Sequence, residues 1–178
     1  RGAARDVKKM QGIIRKATAS AVNRAASSAR TAGVKKVRER YQVRAGDVNK
    51  TFLPTRKATA DGLAAILKSK SQSSPLIDFK TTPKIPGPTR NGVKATVLRG
   101  QSKRLKSAFV TKVGSGGHVG VFERSGTKRL PIQELFGPPV PYMLNNDEVR
   151  SEIDEKFAET FERRFTHEVD RQLGRLVR

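Results

Sequence analysis

Seven apolar residues, Val149, Ile153, Phe157, Phe161, Phe165, Val169 and Leu173, follow one another at strict intervals of four. Residues four apart lie one above the other on an α-helix, so 147–178 reads as a long amphipathic helix. Asn146 stands where an N-cap belongs, and Asp147 and Glu148 fall in the first turn, where carboxylates meet the positive helix end. The interval does not match the helix period. At about 100° per residue, each step of four over-rotates by about 40°, so the stripe winds about two-thirds of the way round. One flat core face cannot cover it. Its two ends are expected to meet different neighbours, one of them another subunit, with Phe161 and Phe165 supporting the fold and Val169 and Leu173 the assembly. A bent helix with a partly exposed stripe is the competing reading.

A second long helix is expected over 3–41. Val7, Met10, Ile14, Ala17 and Ala21 recur in threes and fours, and Ala25, Ala29 and Ala32 continue the face with small side chains. Lys35, Lys36, Arg38 and Arg40 crowd its last turns. They complement the negative helix end or reach a phosphate, and both readings stand. Between the two helices the pattern turns to strands. A helical turn is expected near 47–52 and a short strand over 63–67. A Pro-rich loop spans 80–92, with the turn-forming pair Asn91-Gly92. Strands follow at 93–97, 108–113 and 118–124, the last two joined as a hairpin by Gly114-Ser115-Gly116-Gly117. The expected class is α+β: a long N-terminal helix, a small antiparallel β-sheet with a Gly-rich hairpin, and a long C-terminal amphipathic helix. A single domain over 1–178 would hold a helical arm (1–41), a mainly β body (42–128), a Pro-rich strap (129–146) and the C-terminal helix (147–178).

Charge restricts the working environment. The chain carries 37 Lys and Arg against 16 Asp and Glu, a formal +21 over 178 residues. Residues 1–50 hold +11 and 51–142 hold +12, whereas 143–178 hold −2. Such an excess costs self-repulsion in a compact fold and suits work beside a polyanion or an acidic protein surface. Keeping the chain soluble is the plainer account. Lys103, Arg104 and Lys106, expected between two strands, form a second basic cluster beside that of 35–40. No zinc finger, basic zipper or aromatic ribonucleoprotein signature is present, so any nucleic-acid contact is expected to be electrostatic and blind to base sequence.

The residues for catalysis are missing from the pattern. There is no cysteine, which excludes disulfides, Cys-ligated zinc and a thiol nucleophile. His118 and His167 fall in unrelated elements, and Glu123 and Glu134 make no recognisable acid–base pair. The glycines of 114–120 lie between two strands and open no helix, so they do not form a dinucleotide site. Neither an enzyme nor a metal or cofactor is expected. No apolar run approaches the length of a membrane span, and the opening residues do not read as a signal peptide.

The most distinctive stretch is 129–144, Arg-Leu-Pro-Ile-Gln-Glu-Leu-Phe-Gly-Pro-Pro-Val-Pro-Tyr-Met-Leu. Phe136, Val140, Met143 and Leu144 supply apolar anchors. Pro138, Pro139 and Pro141 hold the backbone extended, which lowers the entropy cost of docking. A docking strap and a rigid crossover on its own sheet are both open. With Gly120–Arg124, Ser107–Val110, Pro75–Phe79 and Ala21–Arg24, this stretch resembles the minor tail protein Z family of long-tailed bacteriophages and prophages. The resemblance spans nearly the whole chain, least securely over 80–106. It implies a structural protein of the virion tail, assembled in the host cytoplasm and acting in tail completion and head–tail joining. By analogy with other tail-completion proteins it implies a ring, expected to be hexameric, near the head-proximal end. DNA would pass through it, and other tail and neck proteins would flank it. The expected interface residues are Phe136, Pro138, Pro139, Val140, Pro141, Met143, Phe161, Phe165, Val169 and Leu173. The alternative is a free, non-sequence-specific DNA-binding protein.

Overall fold

The computed structural model describes residues 2–54, 56–88 and 90–174. Its elements are α1 (Gly2–Arg40), α2 (Ala45–Lys50), β1 (Ser74–Pro75), a 3₁₀ turn (Leu76–Asp78), β2 (Lys80–Thr82), β3 (Val93–Thr96), β4 (Lys103–Leu105), β5 (Phe109–Val113), β6 (His118–Arg124), β7 (Ile132–Glu134), β8 (Phe136–Gly137), α3 (Val140–Leu144) and α4 (Asp147–Gly174). This is the expected α+β class. Residues 175–178, the end of the expected C-terminal helix, lie outside the described residues. The chain divides into two compact units, one of residues 1–34, 52–69 and 146–178, the other of 35–51 and 70–145.

The helical unit combines α4 and most of α1 with the segment 52–69. Ala17, Ala21 and Ala25 are fully buried, and Ala29 nearly so, as the four-residue spacing of small side chains requires. The same face fails nearer the N-terminus, where Val7, Met10 and Ile14 are about half exposed. Ala19, Val22 and Ala58 form a small core on which Ala65 and Phe161 pack. Residues 63–67 do not form the expected strand. Their ladder is a single bridge, Ile66 to Arg56, and Leu63 and Ile66 lie at the surface. A short apolar run without alternation finds no sheet partner here, and its Ala65 is spent on the helix core instead. The segment 52–69 therefore packs with helices rather than with the β body.

Asn23 fixes that segment to α1. Its Nδ2 donates to the Ala58 carbonyl at 2.9 Å, and its Oδ1 accepts from the Ala58 amide at 2.8 Å. One side-chain amide thus supplies both hydrogen bonds that a neighbouring strand would give. Replacing Asn23 with Ala leaves both groups of the buried Ala58 peptide unpaired, at about 1–3 kcal/mol per group. A lowered urea midpoint is expected, and the midpoint of Asn23→Asp, which keeps the acceptor, should fall between the two.

In α4 the winding stripe is visible in its burial. Val149 is fully buried, Ile153 to Val169 are half-buried, and Leu173 is 39% exposed. Phe157, Phe161 and Phe165 stack in a ladder with ring centroids 6.2 and 5.7 Å apart. Asn146 occupies the expected cap position, but its Oδ1 is buried without a hydrogen-bond partner, so the side-chain cap is not made. Arg171 holds the Glu168 carboxyl below its ordinary range, aided by Ser20 of α1 at 3.3 Å. A lowered carboxylate pKa stabilises the fold above the unfolded value, and that contribution is lost as pH falls through the lowered one.

The β unit contains two antiparallel three-stranded sheets, β2-β3-β4 and β5-β6-β7, and a two-stranded pair, β1-β8. The hairpin joining β5 to β6 is as expected. Two differences follow from hydrogen bonding that the local pattern did not show. Lys80–Thr82, read as loop, pairs with Lys94–Thr96 before Pro83 ends the ladder. Lys103–Leu105, read as connection, pairs with Val93–Ala95. Tyr41 and Gln42 bind the end of α1 to residues 97–98, through a bridge to Leu98 and a 2.8 Å bond from the Gln42 amide to the Val97 carbonyl.

Candidate functional site

The segment 129–144 is built into the β unit along its length. Its β7 part pairs with β6, and the Leu135 amide donates to the Val121 carbonyl at 2.8 Å. The Leu135 carbonyl accepts from Leu76 at 2.9 Å, after which Phe136 and Gly137 pair with Pro75 and Ser74. The chain thus crosses from one sheet to the next within six residues. Gly137 permits the crossing because a Cβ there would overlap the buried Phe79 ring, with Cζ at 2.7 Å. Sequence-distant stretches of the family pattern therefore meet. Pro75–Phe79 holds one side of the crossover, Gly120–Arg124 the other, and Ser107 donates to the Glu123 carboxylate.

Pro139 is extended as expected, at φ −70° and ψ 151°, and beyond it the expected extended strap is corrected. Val140–Leu144 is a helical turn, since Pro141 in the first turn of a helix loses no hydrogen bond. That turn sends its anchors to different sides. Val140 and Met143 are buried in their own chain, at 3% and 0% exposure, so their side chains are not available to a neighbour. Phe136 is 52% exposed, and Leu130 and Tyr142 are each 66% exposed. Pro138, Pro139 and Pro141 are half-buried. Leu130 and Tyr142 were missed as candidates, although both stand inside the same motif.

The two basic clusters differ in kind. Lys35 and Lys36 each lie 3.9 Å from Glu39, so that cluster is partly neutralised. Arg99, not selected from sequence, donates to the terminal carbonyls of α1, with its Nε 2.6 Å from the Arg38 oxygen and its amide 2.8 Å from that of Arg40. These bonds pair the last carbonyls of α1 with a residue from outside the 35–40 cluster. Lys103, Arg104 and Lys106 are all exposed, and Arg104 stands directly across the ladder from Lys94. Like charges placed opposite one another are unfavourable, and an anion on that face relieves them.

Two cavities of the β unit share Lys106. The smaller, about 370 Å³, is lined by Arg90, Asn91, Arg104 and Lys106. The larger, about 690 Å³, follows β5; Lys106, Lys112, Arg124 and Arg129 contribute charge, and Phe109, Leu130 and Ile132 contribute apolar surface. Among the described residues, no carboxylate lines either one. The Arg124 guanidinium lies over the Phe109 ring, 5.1 Å from its centroid. Glu123 accepts from Ser107, which itself lines the larger groove, and Glu134 is paired with His118 at 2.7 Å. Asp78 has its carboxyl raised, chiefly by desolvation and then by Asp47, with Arg44 and Lys84 acting in the opposite direction.

Among the described residues, no group of three or more His, Asp and Glu side chains is placed to hold a metal. His118 and Glu134 form a lone pair, and His167 lies on the other unit. No helix among the described residues is long and apolar enough to cross a membrane. The recurring features are exposed apolar side chains beside cation-lined grooves, an arrangement suited to holding macromolecular partners.

The family model of prophage minor tail protein Z matches residues 1–178, the entire chain. No curated protein and no solved structure matches. The full-length match covers every segment that carried the resemblance and also 80–106, which did not carry it, and such a family points to the virion, to contacts with other virion proteins and away from an enzyme. The chain belongs to the prophage minor tail protein Z family and is a structural protein of the phage tail.

Proposed function

We propose that this protein acts in tail completion, as a self-assembled ring at the head-proximal end of the tail through which DNA passes on its way from the head. The observation that carries the reading is the distribution of charge. The β unit holds 19 Lys and Arg against 5 Asp and Glu, and its smaller groove, of Arg90, Asn91, Arg104 and Lys106, has no carboxylate among the described residues that line it. A protein lining a DNA path needs this electrostatic surface and needs no base-reading element. Exposed Phe136 and Tyr142 and the half-covered end of α4 provide apolar surface for copies and neighbours. The ring is expected to be hexameric and to be joined by the host cytoplasm's pool of tail and neck proteins.

Electron microscopy of the purified protein and of the virion neck tests this. Closed rings with an open lumen, and matching density at the head–tail junction, are expected. Monomeric protein together with density placed elsewhere in the tail would refute it. Binding to duplex DNA is expected to weaken steeply with salt and to be equal for unrelated sequences. Neutralising Lys103, Arg104 and Lys106 should reduce the log–log salt slope by about 0.9 for each phosphate contact removed. Neutralising Lys35 and Lys36, already beside Glu39, should change it less. Unchanged DNA affinity and normal tail joining after both sets of changes would leave solubility as the role of the charge.

A further inference from the structure

We infer that the groove beside β5 of one copy receives the C-terminal part of α4 from a second copy. The inference rests on the ring reading above and names the two faces that would meet. A phosphate surface needs cations alone. This groove is also lined by Phe109, Ile132 and the two-thirds exposed Leu130. Cations among apolar side chains fit a helix side that combines carboxylates with apolar groups, because the carboxylates pair with the cations while the apolar side chains cover the apolar lining.

The C-terminal part of α4 has one such side, although over 162–174 its three acids, Glu162, Glu168 and Asp170, are matched in number by Arg163, Arg164 and Arg171. Glu162, Phe165, Val169 and Leu173 are spaced three, four and four apart, so they share one side of α4. Leu173 is exposed and Phe165 and Val169 are only half-buried, so the apolar part of this side is not fully covered by its own chain. Glu162 and Asp170 are exposed, and neither carboxylate has an ion-pair partner among the described residues. Three other acids of the helix are already engaged, Glu155 by Ser151, Glu159 by Lys156 and Arg163, and Glu168 by Arg171. The complementarity is therefore local, between four cations without an ion-pair partner among the described residues and the Glu162 and Asp170 carboxylates. Groove and helix are different surfaces, so the contact repeats head to tail. Such a heterologous interface closes into a ring when its rotation allows.

The test uses the full chain and two surface variants, Lys112→Glu with Arg129→Glu in the groove and Glu162→Lys with Asp170→Lys on the helix. All four positions are exposed, and circular dichroism verifies that each variant is folded. Mass is read by light scattering at low ionic strength, where exposed charges are least screened. Each variant alone should associate at least about tenfold more weakly than the wild type. Mixing the two should restore the oligomer, because every contact in an alternating ring again joins opposite charges. Native mass for either variant alone, or a mixture that stays dissociated, overturns the inference. If the wild type forms rings and the variants match it, the ring reading stands and only this interface falls. If the wild type is monomeric, both fall. A groove variant that loses binding to a short duplex while keeping native mass would make the groove a DNA surface instead.

Discussion

Replacing Met143 with Ser is expected to destabilise the protein by about 2–5 kcal/mol, the range for truncating a large buried side chain. Met143 is fully buried, so its removal leaves a cavity and puts a hydroxyl among apolar atoms. Phe136→Ser is expected to move stability by less than about 1 kcal/mol, because half of that ring is already in water. The two residues stand seven apart in one motif and were both expected to face a neighbour. The comparison therefore separates folding from docking. Urea unfolding reads the first quantity, and incorporation of folded Phe136→Ser into tails reads the second. Equal midpoints for the two variants would show that Met143 is not the core residue its burial indicates. Normal tail incorporation of Phe136→Ser would remove that side chain from the proposed interface.

The second large effect is expected at Gly92. Its φ is +68°, in the region that costs an L-residue about 1–2 kcal/mol. A Cβ there would overlap the Leu105 carbonyl oxygen and come within 2.7 Å of Lys106 Cα. Backbone has no rotamer with which to move aside, so overpacking adds about 1–3 kcal/mol more. Gly92→Ala should therefore cost about 3 kcal/mol in all. It should also shift β4, which carries Arg104, and with it the 3.1 Å bond from Arg104 to the Asn91 carbonyl. A weaker grip on duplex DNA is expected to accompany the lower midpoint. Gly100 is the control, since its φ is +80° but a Cβ would meet nothing within 4 Å. Gly100→Ala should cost only the conformational part. If the two alanine variants unfold at the same midpoint, the close approach at Gly92 contributes nothing.

Both predictions lie where local pattern and fold part company. The long helices were legible because their periodicity is a property of consecutive residues, from the alanines of α1 to the winding stripe of α4. The β5–β6 hairpin was legible for the same reason, since two alternating runs flank a glycine tip. The short strands β2 and β4 were not. Lys80–Thr82 and Lys103–Leu105 have no apolar alternation of their own, and each becomes a strand only because β3 offers hydrogen bonds. The converse failure is 63–67, apolar enough for a strand but given no partner beyond one bridge.

By itself the sequence determined the α+β class, the excess of positive charge, the winding of α4 and the motif of 129–144 that carries the family resemblance. Tertiary structure alone decided how those features are used. It turned Met143 and Val140 inward while leaving Phe136, Leu130 and Tyr142 outside, and it let Asn23 act as a strand partner for Ala58. It also gave the carbonyls of α1 to Arg99 and brought Lys106, Lys112, Arg124 and Arg129 to one groove with Phe109, Leu130 and Ile132. The physical reason is common to all of these. Periodicity and charge are summed along the chain, whereas burial and pairing depend on which distant residues arrive at the same place, and no local pattern records that.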